Sequence, residues 1–210
     1  MKKPYFGRLL TAMVSPFRED GSVDYAAGAD LAEWLINNGS DGLVVEGSTG
    51  ESATMNFEEK VQFMRTIKER IGGRAPIVAG AGTNCKAATI ELVKAFEEVG
   101  VDGLLVVGPY YNKPTQEGYY QHFAAVARST KLPIIVYNVP GRTGSNIMPE
   151  TVVRLANDFE NIVAIKEAAG NVAQTADLYR LLPEDFSIYS GDDTLILPFC
   201  SVGACGLISV

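Results

Sequence analysis

Short apolar runs alternate with polar segments along the whole of this sequence. Eight of the runs have the length and residue types of buried β-strands. They cover residues 9–14, 42–46, 76–81, 103–107, 133–138, 162–166, 186–190 and 203–210. Because a strand that is apolar throughout is buried on both faces, these runs predict the strands of a parallel sheet.

The segments between the runs carry apolar residues at helical spacing. Asn56 and Glu59 stand before one such segment in the arrangement of a helix capping box. The apolar positions that follow share one face of a helix, and they are Val61, Met64, Ile67 and Ile71. A second face of this kind consists of Ile90, Val93 and Phe96. Helix ends are expected at Gly39, Gly72 and Gly100.

Strand–helix alternation through eight strands predicts parallel strands joined by right-handed crossovers. Eight strands favour a closed (β/α)8 barrel, the TIM barrel, over an open doubly wound sheet. No linker or low-complexity tract divides the chain, so we expect residues 1–210 to form one barrel domain.

Composition and charge exclude several classes of function. The formal net charge of −7 argues against a nucleic-acid partner, which requires a basic surface. No apolar run approaches the length of a membrane span, and no apolar signal-peptide segment follows the N-terminal lysines. The single histidine, His122, argues against a metal site built on histidines. Three cysteines without zinc-type spacing indicate buried thiols of a reducing, cytosolic compartment, and they are Cys85, Cys200 and Cys205.

A lysine, Lys166, ends the apolar run that begins at Ile162. Burial of an ammonium group costs free energy, and it lowers the lysine pKa towards the range in which the free amine is a nucleophile. A free amine in an enzyme most often forms a Schiff base with a carbonyl substrate. The alternative interpretation is that Lys166 ends the strand, extends to solvent and pairs with Glu167.

In a (β/α)8 barrel the active site lies at the C-terminal ends of the strands. Here these ends carry a glycine- and hydroxyl-rich turn at 47–52, a tyrosine pair at 110–111, Tyr137 and Arg142. Taken singly, they are also typical of a tight turn, a packing pair, a half-buried phenol and a solvated charge. On one rim with Lys166 they predict a site for a small anionic carbonyl compound, with Tyr137 as general acid/base.

The segments that carry this chemistry closely resemble those of the 4-hydroxy-tetrahydrodipicolinate synthase (dihydrodipicolinate synthase) family. The similarity runs in register from Phe6 to the last residue. The matching segments are GSTGE at 47–51, PYYN at 109–112, YNVP at 137–140, GRTG at 141–144, IKEA at 165–168 with Gly170 and Asn171, and SGDD at 190–193. The resemblance implies a lyase that condenses pyruvate with L-aspartate 4-semialdehyde in the lysine (diaminopimelate) branch.

The resemblance also implies roles for individual residues. Lys166 is expected to form the Schiff base with pyruvate. Tyr137 is expected to be the acid/base at the imine, linked through Thr49 to Tyr111 of a neighbouring subunit. Ser48 stands where the family often has threonine, and as a hydroxyl it is expected to preserve the carboxylate cradle with Thr49.

The substrate pocket follows from the same resemblance. Arg142 is expected to bind the carboxylate of the semialdehyde, and the main chain of Gly191 and Ile208 to line the pyruvate pocket. No metal or organic cofactor is implied, because the imine itself serves as the electron sink. The family commonly forms tetramers built from tight dimers, so a homodimer or homotetramer is expected.

The wider superfamily leaves an alternative open. N-acetylneuraminate and 2-keto-3-deoxy sugar-acid aldolases share the lysine, the tyrosine and the glycine-rich turn. They generally lack an arginine in the loop after the fifth strand, so Arg142 favours the synthase.

The sequence departs from the family in two respects. Members inhibited by lysine have a histidine or other polar residue in the second helix and a glutamate in the third, where this chain has Phe57 and Lys60, and Ala88. We therefore expect weak or absent inhibition by lysine. The family also continues past the eighth strand, whereas this sequence stops there, so we expect a bare outer face on the last strand. A truncated, catalytically silent barrel that survives by association is the corresponding alternative.

Overall fold

The computed structural model describes residues 3–210, which form a closed barrel of parallel strands surrounded by helices. The strands are β1 (Leu9–Ala12), β2 (Gly42–Val45), β3 (Ile77–Gly80), β4 (Gly103–Val107), β5 (Ile134–Asn138), β6 (Ile162–Glu167), β7 (Ser187–Ser190) and β8 (Gly206–Ser209). Each strand pairs with its neighbour in sequence, and β8 pairs with β1 to close the barrel. The predicted (β/α)8 TIM barrel is therefore confirmed.

Helices connect the strands on the outside of the barrel. They are α1 (Tyr25–Asn37), α2 (Phe57–Ile71), α3 (Lys86–Val99), α4 (Gln116–Ser129), α5 (Pro140–Thr143), α6 (Pro149–Asp158), α7 (Val172–Leu181) and α8 (Ile196–Ser201). A short 3-10 turn, Ser52–Thr54, precedes α2. Within residues 3–210 there is no helix that is both long and apolar enough to cross a membrane.

Local sequence explains where the helices begin and end. The Asn56 side chain accepts a hydrogen bond from the Glu59 amide, and the Glu59 carboxylate accepts one from the Asn56 amide, both at 2.9 Å. This reciprocal pair is the predicted capping box, and it satisfies two donors at the start of α2. Gly72 and Gly100 end α2 and α3 in the left-handed conformation, as predicted, whereas Gly39 lies one residue beyond the C-cap of α1.

The core has two layers because the strands alternate their side chains between the barrel interior and the helices. Every strand contributes to the interior layer, with Leu10, Val44, Val78, Leu105, Ile135, Ala164, Tyr189 and Ile208, and β1 and β5 add Ala12 and Tyr137. The outer layer joins the opposite strand faces to the apolar helix faces, including Met64, Ile67 and Ile71 of α2. The interior is thus filled by side chains below the rim, which leaves the strand ends as the place for a site.

The pairing of β5 with β6 is irregular at its start. Ile134 pairs with Ile162, whereas Ile135 pairs with Ala164, so β6 carries one extra residue, Val163. After this bulge the pairing is regular through the ends of both strands, where the last two pairs are Tyr137 with Lys166 and Asn138 with Glu167.

Two sequence expectations are corrected by the structure. Of the three cysteines only Cys205 is buried, whereas Cys85 is exposed at the start of α3 and Cys200 is half-buried. The first predicted strand extended to residue 14, but β1 ends at Ala12. The Met13 amide still donates to the carbonyl of Val44 at 3.1 Å, so the hydrogen bonding to β2 continues one residue past the end of β1.

Candidate active site

Lys166 lies inside the rim of the barrel, beside Tyr137. Its side chain leaves β6 on the inner face and is 3% exposed. The Lys166 Nζ atom lies 4.7 Å from the centre of the Tyr137 ring. Because the two residues are register partners on adjacent strands, both side chains point to the same face of the sheet. The predicted lysine and tyrosine therefore meet.

Burial determines the protonation of Lys166. The pKa of its amine is lowered to about 8, chiefly by desolvation; the Asp193 carboxylate opposes this change, and the Arg142 charge adds a smaller lowering. A substantial fraction of the amine is therefore neutral slightly above neutral pH, as a nucleophile requires. The alternative, in which Lys166 reaches solvent and pairs with Glu167, is wrong. The amine is buried, and among residues 3–210 no ion pair joins it to Glu167.

Tyr137 keeps its phenolic proton in this environment. The residue is 6% exposed, and burial raises its pKa, while the neighbouring Ser48 hydroxyl and the Arg142 charge oppose the rise only in part. A neutral phenol next to an amine is suited to donate a proton to an oxygen that leaves, and to take one back. Tyr137 therefore has the protonation state of a general acid.

A cavity of about 300 Å³ opens beside Tyr137. Among the residues predicted for the site, Ser48, Tyr137 and Arg142 line it. Lys166 does not line this cavity. It lies beside Tyr137, which forms part of the cavity wall. A wider depression of about 840 Å³ lies at the opposite end of the barrel, where residues 3–5 cover the starts of β6 and β7. That end of a TIM barrel contributes stability rather than catalysis.

Arg142 stands at the mouth of the cavity on the short helix α5. Its side chain is exposed, and none of the ion pairs among the described residues includes it. A local hydrogen bond fixes the end of this helix: the buried Thr143 hydroxyl donates to the carbonyl of Ser145 at 2.7 Å. The guanidinium is therefore available for a carboxylate that enters the cavity.

The remaining predicted residues occupy different surroundings. Gly191 lies against Lys166, since a side chain there would stand 2.9 Å from Lys166 Cε, so only glycine leaves room for the lysine. Ile208 is fully buried in the interior layer. Thr49 is half-buried, and within residues 3–210 it makes no hydrogen bond with Tyr137 or Tyr111. Tyr111 is 88% exposed, so its predicted contact with a neighbouring subunit remains a prediction.

Backbone strain is concentrated in two of the rim loops. Among residues 3–210, four non-glycine residues have a positive φ, and they follow β2 and β4: Glu46, Glu51, Tyr111 and Lys113. Such a conformation costs about 1–3 kcal/mol for a residue with a side chain, and it is common where a loop presents functional groups. The two strained loops carry the hydroxyl turn and the tyrosine pair that the sequence singled out.

The chain is similar in sequence and in structure to one group of proteins. Residues 5–210 match the model of the "Dihydrodipicolinate synthetase family". A 4-hydroxy-tetrahydrodipicolinate synthase of Heliobacterium modesticaldum is 58% identical over 205 residues, which are 98% of this chain and 68% of the relative. Dihydrodipicolinate synthase of Cyanidioschyzon merolae, solved with lysine bound, has a TM-score of 0.97 and 46% identity over 99% of this chain and 71% of its own. A monomeric dihydrodipicolinate synthase variant has a TM-score of 0.94 and 43% identity, over 98% of this chain and 69% of its own.

Glu46 lines the cavity and was missed as a site residue. It follows β2 directly, is 1% exposed, and neither of its carboxylate oxygens has a hydrogen-bond partner in the described part of the chain. Burial raises the pKa of Glu46 well above its usual value, and the Lys60 charge opposes this only in part. An acidic residue at the end of an apolar run was the sequence feature that pointed to it.

We predict that Glu46→Gln stabilises the protein increasingly as pH rises. Between the ordinary pKa of a glutamate and the raised pKa of Glu46, the native state keeps a proton that the unfolded chain has released. Wild-type stability therefore falls with rising pH in this window. Glutamine does not titrate, so the gain in unfolding free energy should grow from near zero at about pH 4.5 to about 1–3 kcal/mol at about pH 8.

Thermal unfolding of the two proteins over this pH range measures the effect. Glu51→Gln, at an exposed residue of the same loop, is the matched control and should follow the wild type. A gain that is the same at every pH would contradict the account of Glu46 as a buried, unpartnered acid.

Proposed function

This chain belongs to the dihydrodipicolinate synthetase family, and we propose that it condenses pyruvate with L-aspartate 4-semialdehyde to give 4-hydroxy-tetrahydrodipicolinate. Family membership makes it a pyruvate-dependent lyase of lysine biosynthesis. The choice of the two substrates rests on the residues of the site. The observation that carries the proposed Schiff-base chemistry is the buried amine of Lys166, with a pKa lowered to about 8, at 4.7 Å from the Tyr137 ring.

The first half of the reaction joins pyruvate to the enzyme. The neutral amine of Lys166 attacks the keto carbon of pyruvate, and the carbinolamine loses water to form an imine. Tyr137 donates the proton that the departing oxygen needs. Ser48 and Thr49 on the turn after β2 hold the pyruvate carboxylate, and the main chain of Gly191 and Ile208 lines the pyruvate pocket.

The second half forms the carbon–carbon bond. The protonated imine withdraws electrons, so the pyruvate methyl group loses a proton to the phenolate of Tyr137 and becomes an enamine. The enamine attacks the aldehyde carbon of the semialdehyde, whose carboxylate is held by the exposed guanidinium of Arg142. Tyr137 then returns the proton to the former aldehyde oxygen, which becomes the hydroxyl of the product. The substrate's own amino group then replaces Lys166 at the imine carbon, which closes the ring and frees the enzyme. The imine is the electron sink throughout, so the proposal requires no metal or organic cofactor.

A homo-oligomer is part of the proposal. Tyr111 is 88% exposed on a strained rim loop, and a large aromatic side chain in that position is suited to enter the site of a second subunit. Among the structural neighbours, one is described as a monomeric variant, so assembly in this fold varies. The proton relay through Tyr111 depends on a dimer.

We predict that sodium borohydride traps pyruvate on Lys166 and that the initial trapping rate follows the pKa of this lysine. The rate should be half-maximal at about pH 8 and level off near about pH 9, because the amine is then largely neutral. An ordinary lysine, with a pKa of about 10.4, would still gain rate at pH 9. Peptide mass spectrometry locates the adduct.

Two variants complete this experiment. Lys166→Arg should abolish the adduct, and Lys94→Arg, at an exposed lysine of α3, should leave it unchanged. A folded wild-type protein that forms no adduct on Lys166 would show that the proposed chemistry is wrong and would favour a silent barrel.

We predict that Ser48, rather than Thr49, is the hydroxyl that acts on Tyr137. Ser48 lowers the pKa of Tyr137, so its removal should raise that pKa further. In Ser48→Ala the alkaline limb of the kcat profile should move to higher pH, with kcat reduced about 100-fold. Thr49→Val should weaken pyruvate binding without moving the limb. A shift in Thr49→Val alone would instead support the relay through Thr49 that the family resemblance implies.

We predict that L-lysine binds this protein with a Kd weaker than about 1 mM. The Lys60 ammonium lines the cavity beside Ser52 and Ala53, where it would repel the ligand's ammonium, and Ala88 offers no carboxylate. Calorimetric titration measures the affinity, and Ala88→Glu is the matched variant that should tighten binding. Tight binding to the wild type would contradict the prediction.

A further inference from the structure

Glu167, the residue after the reactive lysine, is completely buried and fully bonded. Its exposure is 0%. Its carboxylate accepts hydrogen bonds from the Asn138 side-chain amide at 3.0 and 3.2 Å, from the Gln174 side-chain amide at 3.0 Å and from the Ala169 backbone amide at 2.7 Å. These donors come from three segments: the end of β5, the loop after β6, and α7.

The partners indicate that Glu167 carries a charge. All of them are donors, so the ionised carboxylate satisfies them, whereas a protonated acid would direct its own hydrogen at a donor. Burial raises the pKa of Glu167, while the amide donors oppose the change. No lysine or arginine of the described residues forms an ion pair with it. A buried anion that is held only by amides is costly, so its position calls for a functional explanation.

The bond between Glu167 and Asn138 lies directly behind the reactive pair. Asn138 pairs with Glu167, and one residue earlier Tyr137 pairs with Lys166. Since side chains alternate along a strand, the first pair is on the outer face and the second on the inner face. The Asn138–Glu167 bond therefore joins the ends of β5 and β6 at the point where the Arg142 loop begins.

The same cluster closes the loop that carries Arg142. Asn138, at the start of this loop, also donates to the side chain of Asn146 at 2.8 Å and accepts from the backbone amide of Ile147 at 3.0 Å. Asn146 in turn donates to the side chain of Gln174 at 2.7 Å. Both ends of the segment 138–147 are therefore bonded to residues that the Glu167 carboxylate holds.

We propose that Glu167 is a positioning residue whose buried carboxylate sets the Arg142 loop relative to the amine of Lys166. It touches neither substrate, and it acts through Asn138, Gln174 and Asn146. This inference rests on the proposed function, because it assigns Arg142 to the semialdehyde and Lys166 to pyruvate. Loss of the carboxylate should therefore affect the semialdehyde half of the reaction more than the pyruvate half.

The test is the steady-state kinetics of Glu167→Gln. Its amide group directs a donor at the donors of Asn138 and Gln174, so the cluster loosens while the size of the residue is kept. We expect kcat to fall about 10- to 100-fold and KM for the semialdehyde to rise about 10-fold, the effect of a misplaced group. KM for pyruvate and the extent of borohydride trapping on Lys166 should change less than about 2-fold, within the range of an unaffected first half-reaction.

A second substitution tests whether the carboxylate itself is responsible. In Glu167→Gln/Gln174→Glu the acid and the amide exchange places, so one carboxylate again faces the amides of the cluster. We expect this double variant to recover most of the loss in kcat and in semialdehyde KM. Gln174→Glu alone places two carboxylates together and should not improve on the wild type. Leu155→Ala, at a buried residue of α6 away from the rim, controls for a general loss of stability.

The outcomes are distinct. Unchanged semialdehyde kinetics in Glu167→Gln, or equal losses in Glu167→Gln and Leu155→Ala, would overturn the proposal. Should Glu167→Gln fail to fold, Asn146→Ala breaks only the loop arm of the cluster. It should raise semialdehyde KM with pyruvate trapping intact, and no change would again overturn the proposal. Failure of the wild type to trap pyruvate would instead contradict the proposed function.

Discussion

The pairing of Tyr137 with Lys166 across β5 and β6 is the constraint on which the rest of this site depends. A nucleophilic amine must be desolvated, and the barrel supplies a filled interior below the rim that buries it. A proton donor must also lie beside the amine, and a register shift of one residue would turn Tyr137 towards the helices. The chemistry at the rim therefore depends on strand register. The bulge in β6 shifts the pairing with β5 by one residue, and Tyr137 pairs with Lys166 in the register that follows it.

The low pKa of Lys166 has a cause that is robust to conditions. Burial is the largest contribution, and the opposed charges of Arg142 and Asp193 make smaller contributions of opposite sign. Desolvation is a property of the packed interior, so dissolved salt does not screen it, whereas it does screen charges at the exposed rim. The largest cause of the low pKa of Lys166 is therefore insensitive to ions in the solvent.

Much of this architecture could be predicted from sequence, because its causes are local. The capping box of Asn56 and Glu59, the helix ends at Gly72 and Gly100 and the eight strands depend on residues near one another in the chain. The bulge at Val163 was not predictable, since it depends on pairing between strands. For the same reason sequence did not show that the Ser48 hydroxyl lowers the pKa of Tyr137. Cys85 is exposed at the N-cap of α3, and the number and spacing of the cysteines in the sequence do not define which of them are buried.

Two buried glutamates illustrate how similar residues at strand ends come to differ. Glu167 ends β6, Glu46 follows β2 directly, and both are almost completely buried. The carboxylate of Glu167 is surrounded by amide donors, so its charge organises three segments of the rim. The carboxylate of Glu46 has no partner among the described residues, so its burial is a cost, and the left-handed backbone at this residue adds to that cost. The number of donors that the fold aims at a buried acid, rather than its burial, decides whether the acid holds the site together or strains it.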